Sequence, residues 1–255
     1  MRYKVIVNYD GTNFNGFQRQ KDYRSVEAEI ESVLEKMHKE KIRIIGAGRT
    51  DKGVHALGQV FHFDSDLKIT EMGLKKGMNS LLPPDIYVVD VKKTSEDFHA
   101  RYSAKSKIYR YKINVNEYNP LEVNYVYQLN RELDINKMIK AATMFKGEHN
   151  FYNFCGYQEN IDKNFVRIIN SIEIRKDDKY VTIEIEGNGF IRYMVRMIVA
   201  ILVEIGLGKK DESFIKERLD SNIKNRSNYK VPGNGLYLVK IDYWGEKIWK
   251  KEERI

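Results

Sequence analysis

The chain has 255 residues and a 42% hydrophobic content, enough to bury a substantial core in one large or two small domains. Its net charge of +8 and pI near 9.2 predict a surface that attracts a polyanion. The single cysteine, Cys155, excludes an internal disulfide and a cysteine-based zinc site, and no apolar stretch reaches bilayer-spanning length, so a cytoplasmic protein is expected.

In chain order, Arg2 to Tyr9 reads as a charged strand with no long apolar run behind it. Ser25 can cap a helix to about Lys39, with Glu27 and Glu29 suiting its N-terminal dipole and Val26, Ile30, Val33, Leu34 and Met37 at helical spacing. Ile42 to Ala47 and Gln59 to Asp64 read as strands around a small-residue turn. A helix from Thr70 to Leu82 stops at Pro83-Pro84, and Ile86 to Val91 returns as a strand. The polar stretch near Ser95 to Ser106 is an irregular connection, which places a boundary between halves at 1–104 and 105–255. Lys107 to Val115 then opens the second half as a strand. Asp134 caps a helix whose Met138, Ala142 and Phe145 face inward, and Val166 to Ile174 pairs with Tyr180 to Glu186 as a hairpin. A long helix from Phe190 to Gly206, a shorter one from Asp211 and a strand from Leu236 to Tyr243 complete the chain. Strands and helices mix without strict βαβ alternation, so the expected class is α+β with largely antiparallel sheets.

The turn between the first two internal strands holds the acid to be explained. Gly48-Arg49-Thr50-Asp51-Lys52-Gly53-Val54-His55 places one carboxylate among glycine, arginine and lysine, an arrangement that lifts an acid out of a sheet and leaves room beside it. By the turn rules alone, a plain hairpin whose aspartate bonds its own turn is the commoner reading of such a run, although the run carries more than a turn requires. Five scattered histidines, with no His-Glu-x-x-His spacing, imply no metal.

Ala47 to Ala56 resembles the catalytic loop of the tRNA pseudouridine synthase A family, whose pattern is Ala-Gly-Arg-Thr-Asp-x-Gly-Val-His-Ala. The likeness continues through Tyr9-Asp10-Gly11-Thr12 with Phe14 and Gly16, then Phe98, Ala100, Arg101, Tyr109 and Tyr111, then Gly147, His149, Phe151 and Phe154. It ends on Met194-Val195-Arg196 with Ile198-Val199, and on Gly235-Leu236-Tyr237-Leu238. The resemblance implies two related α+β halves with mainly antiparallel sheets meeting around a central catalytic cleft, in a homodimer. It also implies isomerisation of uridine to pseudouridine in the anticodon stem-loop of tRNA, at positions 38, 39 and 40, without a cofactor.

By the same resemblance Asp51 is the catalytic acid and Arg196 its partner, a pairing that predicts a lowered Asp51 pKa. Tyr109 stacks on the flipped base, and Leu236 forms the opposite wall of the slot. Arg49 contacts the displaced nucleotide, with Lys52, His55 and Arg101 as further substrate contacts, His55 being more structural than catalytic in type. Arg19, Lys21, Arg24, Lys105, Lys107, Arg110 and Arg192 are candidate contacts to the RNA backbone. The chain departs from the family pattern at Lys52, at Lys107 where arginine is usual, at Asn150 for aspartate and at Ala200 for glycine.

Two other readings compete. One is an RNA-binding or RNA-folding protein of the same fold without catalysis, which would not require Asp51, Tyr109 and Arg196 together. The other makes Gly46-Ala47-Gly48 a nucleotide-phosphate loop, and its spacing fails: the dinucleotide fingerprint needs glycine where Asp51 stands, and the Walker pattern needs lysine at Val54.

Overall fold

The computed structural model describes residues 1–156, 164–220 and 229–244. Strand β1 (Arg2–Tyr9) buries Tyr3, Val5, Val7 and Tyr9 on one face, the period-2 pattern of a half-covered strand. Helix α1 (Val26–His38) turns Val26, Ile30, Val33 and Leu34 into the core. Its first N–H groups are satisfied by the preceding loop: Val26 and Glu27 donate to the carbonyls of Gly16 and Phe17 at 3.4 and 2.9 Å. Ser25 therefore occupies the N-cap position without a side-chain capping bond, and its buried hydroxyl has no partner among the described residues. The expected serine cap is replaced by backbone carbonyls that satisfy the same orphan donors.

Strand β2 (Ile45–Gly46) is shorter than the sequence predicts, and β3 (His55–Asp64) begins earlier. Pairing of β3 with β1 runs on to the Tyr9 and Ala56 pair, which draws His55 and Ala56 out of the turn and into the sheet. Helix α2 (Glu71–Leu81) is capped by Thr70, whose side chain accepts from the Gly73 N–H at 3.0 Å, and it ends before the two prolines. Strand β4 (Ile86–Thr94) follows.

Strand β5 (Ala104–Asn114) and the short β6 (Tyr127–Gln128) lead to α3 (Ile135–Ala142), where Asp134 accepts from the Lys137 N–H at 3.0 Å as its sequence predicts. Phe145 is buried in the 3-10 turn that follows. Strands β7 (Gly147–Asn150), β8 (Val166–Lys176) and β9 (Tyr180–Gly187) come next, then α4 (Met194–Gly206), α5 (Glu212–Asp220) and β10 (Leu236–Tyr243). Every residue of α4 except Glu204 is buried, as expected of a helix that is apolar on all sides. It starts at Met194 and not at Phe190, because Tyr193 takes a left-handed conformation (φ +67°) that cannot continue a helix.

Among the described residues, ten strands join one sheet in the order β4-β1-β3-β10-β5-β9-β8-β7, with β2 on β3 and β6 on β5. The pairing is antiparallel except at β3 with β10 and at β5 with β6, so the class is α+β with a mostly antiparallel sheet. The early strands β4-β1-β3 meet the later ones edge to edge at β3 and β10, through Tyr237 opposite His55 and Leu238 opposite Ala56. That seam lies immediately after the Asp51 turn, and it brings the turn beside β10 and β5.

Candidate active site

The segment from Ala47 to Val54 is held by the opening segment of the chain and by the sheet. The Ala47 N–H donates to the Val60 carbonyl at 2.7 Å, and the Gln59 side-chain amide donates to the Gly48 carbonyl at 2.9 Å. The Thr50 carbonyl accepts from the Phe17 N–H at 3.1 Å, and the Thr50 hydroxyl lies 2.8 Å from the Tyr9 phenol oxygen. Three glycines make this fit possible. A Cβ at Gly11 would collide with the Val54 carbonyl, one at Gly233 would press on the Lys52 carbonyl, and one at Gly16 would stand 2.6 Å from the Thr50 oxygen. The opening motif Tyr9 to Gly16 is thus the cradle of the Asp51 turn, a role its sequence does not disclose.

Gly16 also has φ +102°, a conformation that strains any side chain. Gly16→Ala is expected to cost about 1–3 kcal/mol of stability. Because the relief comes from shifting Thr50 and Asp51, the rate should fall by more than the folded fraction does, as thermal melts and single-turnover rates on one preparation would show. Loss in proportion to folded protein would contradict the cradle.

Asp51 lies partly buried opposite α4. The Arg196 Nη1 reaches its Oδ2 at 3.2 Å, and the Arg192 Nε stands 3.9 Å from Oδ1. Arg196 is itself buried, with 9% exposure, and its Nε donates to the Val231 carbonyl at 2.8 Å. The guanidinium is therefore fixed through Nε by the Val231 carbonyl while Nη1 meets the carboxylate. Burial pushes the Asp51 pKa above its ordinary 3.8, and attraction from Arg196, Arg192 and Lys230 offsets only part of that push. The expected lowering is corrected here: desolvation of the carboxylate exceeds the gain from its cations.

A folded-state pKa raised above the unfolded value makes the native protein bind the proton more tightly, so Asp51 removes stability as pH rises from 3.8 through its folded value. The stability of Asp51→Asn relative to the parent should grow across that window. The acid limb of single-turnover activity should likewise fall with a midpoint above 3.8. A limb at or below that value, on a stem-loop that stays folded, would contradict the buried carboxylate.

The floor beside Asp51 is one face of the sheet. Tyr109 on β5 pairs with Leu238, and Leu236 with Tyr111, so both tyrosines and both leucines share a face. Tyr109 is 8% exposed, its ring meets Phe190 edge-on at 5.2 Å, and burial together with Tyr9 and Asp51 raises its phenol pKa well above the ordinary value. Leu236 is buried at the start of β10. Arg49 and Lys52 are exposed on the turn with no ion pair among the described residues, and Arg101 is exposed with its guanidinium 5.7 Å from the Tyr102 ring.

His55 departs from its expected place. It pairs with Tyr237 on the opposite face of the sheet from Tyr109, its ring stacks on Tyr237 at 4.8 Å, and Tyr125 tilts over it at 5.4 Å. Its Nδ1 accepts from the Gly11 N–H at 3.0 Å and its Nε2 faces the Asn124 carbonyl at 2.9 Å, which assigns the neutral Nε2–H tautomer. The Asp10 oxygen 3.2 Å from Nδ1 is then a close neighbour and not an ion pair. With both nitrogens occupied by backbone groups, buried His55 is held in the scaffold of the turn. Lys107 is likewise turned inward: its Nζ donates to the Ala47 carbonyl at 2.7 Å, and burial with Arg101 and Arg167 nearby brings its pKa down to about 8. Arg19, Arg24 and Arg110 are engaged by Glu31, Asp85 and Glu184.

Sequence reasoning gave no role to Tyr193 or Lys230. The Tyr193 ring has the Arg192 and Arg196 guanidinium carbons 4.7 and 5.3 Å from its centre and the Lys230 Nζ at 4.2 Å. The signal available was an aromatic between two arginines in Arg192-Tyr193-Met194-Val195-Arg196.

A model of the tRNA pseudouridine synthase family matches residues 5–103 and 141–244. A tRNA pseudouridine synthase A 1 from Bacillus cereus is 41% identical over 244 residues, covering 95% of this chain and 98% of its own. Proteins named tRNA pseudouridine synthase A from a Geobacillus species and from Oceanobacillus iheyensis are 40% and 38% identical. Each match covers 95% of this chain, and 98% and 96% of the relative. The Asp51 turn and its arginine partner on α4 fall within the segments matched by the family model, and the chain belongs to the tRNA pseudouridine synthase family.

Proposed function

We propose that this protein isomerises uridine to pseudouridine in the anticodon stem-loop of tRNA, at positions 38 to 40, acting as a cytoplasmic homodimer. The observation that carries the reading is the Asp51 carboxylate held by Arg196 above the sheet face that presents Tyr109. The reaction breaks the N1 to C1′ bond, turns the uracil and joins C5 to C1′. N1 gains a proton and C5 loses one, so atoms balance with no redox partner. Attack at C1′, addition at C6 and proton abstraction through a glycal are all open to a carboxylate, and all require it ionised and dry. Arg196 stabilises that ionised form, and the burial that raises the Asp51 pKa also makes the carboxylate a stronger base.

Membership of the family supports the choice of tRNA, and the net charge of +8 supports binding through phosphates. Arg49, Lys52 and Arg101, exposed and without carboxylate partners among the described residues, are proposed as contacts to the displaced nucleotide. Leu236 and Tyr109 are proposed as walls for the base. No helix among the described residues is long and apolar enough to cross a membrane.

Release of tritium from C5 together with pseudouridine tests the proposal, because joining C5 to C1′ sends the C5 hydrogen to water. Purified protein and tRNA carrying uridine tritiated at C5 should release label with the appearance of pseudouridine. Stable binding without release would favour an RNA-binding protein of the same fold.

A second expectation concerns Tyr109. Stacking contributes about 1–3 kcal/mol per base, so Tyr109→Ala should weaken binding of a stem-loop by roughly 5- to 150-fold while Tyr109→Phe stays near the parent. Equal affinities for the two variants would remove Tyr109 from the base slot. A Phe variant that binds but does not turn over would assign the phenol a proton-transfer role.

A further inference from the structure

We propose that Arg192 and Lys230, spaced by the ring of Tyr193, bind a phosphodiester adjoining the uridine that is isomerised. The inference rests on the function proposed above and assigns a binding site within it.

The charges around Asp51 do not balance. Arg196 meets the carboxylate at 3.2 Å and is anchored to the Val231 carbonyl, so it is the cation that neutralises Asp51. Arg192 stands farther off, at 3.9 Å, and Lys230 has no carboxylate within ion-pair distance among the described residues. Both are exposed. Two positive charges thus face the mouth of the site without an anion of their own, in a place that an RNA strand must approach to deliver its base.

The cluster is also built and not incidental. Tyr193 holds φ +67° and ψ −3°, a conformation rare for a bulky side chain and typical of positions where local strain serves a site. Its ring keeps the cations in place: the Arg192 guanidinium lies 4.7 Å from the ring centre and donates to the Tyr193 hydroxyl at 2.8 Å, while the Lys230 Nζ sits at 4.2 Å. Both cations lie within 5 Å of one ring centre, and cation–π attraction offsets only part of their mutual repulsion. A single bridging anion would remove the rest. Tyr193 further marks the start of α4, whose N-terminal dipole adds positive potential at the same point. A planar guanidinium and an ammonium held at one ring match the spread oxygens of a phosphodiester.

The test uses an anticodon stem-loop RNA and two versions in which the phosphate 5′ or 3′ of the target uridine is a neutral methylphosphonate. Binding is measured for the parent and for Arg192→Gln/Lys230→Met, whose exposed positions make the substitutions tolerable to the fold. The parent should lose about tenfold in affinity for one of the two modified RNAs. The double variant should bind the unmodified RNA about tenfold more weakly and show no further loss with that methylphosphonate. Its log affinity should also fall less steeply with log salt. Tyr193→Asn, which suits the left-handed backbone but lacks the ring, should lose part of the same discrimination. Full additivity, with the double variant as sensitive as the parent to both methylphosphonates, would overturn the site. The two ideas fail separately: the non-additive result without pseudouridine formation sinks the function, and pseudouridine formation with additive losses sinks the phosphate site.

Discussion

Asp51→Asn is expected to fold, to bind tRNA about as well as the parent and to form no pseudouridine. The substitution keeps the shape of the side chain and its hydrogen bond from Arg196 while removing the charge that acts on the ribose or the base. Removal of one catalytic group typically slows a reaction by about 10²–10⁴-fold, and where the group makes the bond itself the residual rate approaches background. The loss should therefore reach at least about 10³-fold, some 4 kcal/mol of barrier. Single-turnover assays with saturating enzyme isolate this from binding. A variant within tenfold of the parent would remove Asp51 from the chemistry, whatever its place in the turn.

Arg196→Met should be the most damaging change away from the carboxylate. It strands Asp51 in a buried setting and leaves the Val231 carbonyl without its donor. Breaking a fully buried pair costs about 3–5 kcal/mol; here about 2–3 kcal/mol is expected, because Asp51 keeps some contact with water and Arg192 and Lys230 remain nearby. The Asp51 pKa should rise further, moving the acid limb of any residual activity to higher pH. Combining Arg196→Met with Asp51→Asn should recover much of the lost stability, since no buried charge of the pair is then left unpaired, and no activity. Strictly additive melts for the two substitutions would show that the pair does not interact in the folded protein. Arg196→Lys should not rescue, because one ammonium cannot serve the carboxylate and the carbonyl as the two edges of a guanidinium do.

Much of the site was legible in the sequence because it is local. Asp51 stood out as one acid in a turn of glycine, arginine and lysine, and strand alternation put Tyr109 and Tyr111 on one face, as the register with β9 and β10 bears out. What escaped depends on contacts between distant segments. The pairing of Arg196 with Asp51 across 145 residues is expected from the family resemblance alone, and no periodicity reports that the helix start is displaced by a left-handed Tyr193 or that the chain near Val231 closes on Arg196. The pKa direction was misjudged for the same reason: charge partners can be read from a motif, but burial of the carboxylate is a property of the assembled fold. For His55 and Lys107 the motif does not report which groups the side chains meet. Both are polar residues in matched motifs, and both are spent on backbone groups that position the Asp51 turn, His55 through Gly11 and Lys107 through Ala47. The paired register that joins β3 to β10 spans two residue pairs, too little for any sequence pattern to announce.

Conversion of uridine to pseudouridine in tRNA by the Asp51 carboxylate is tested most directly by mapping pseudouridine at single-nucleotide resolution. An unmodified tRNA pool would be incubated with the purified parent or with Asp51→Asn. New pseudouridine confined to positions 38 to 40 is expected with the parent, and none with the variant at equal tRNA occupancy. Unchanged tRNA with a folded, tRNA-bound parent protein, or equal conversion by both proteins, would contradict it.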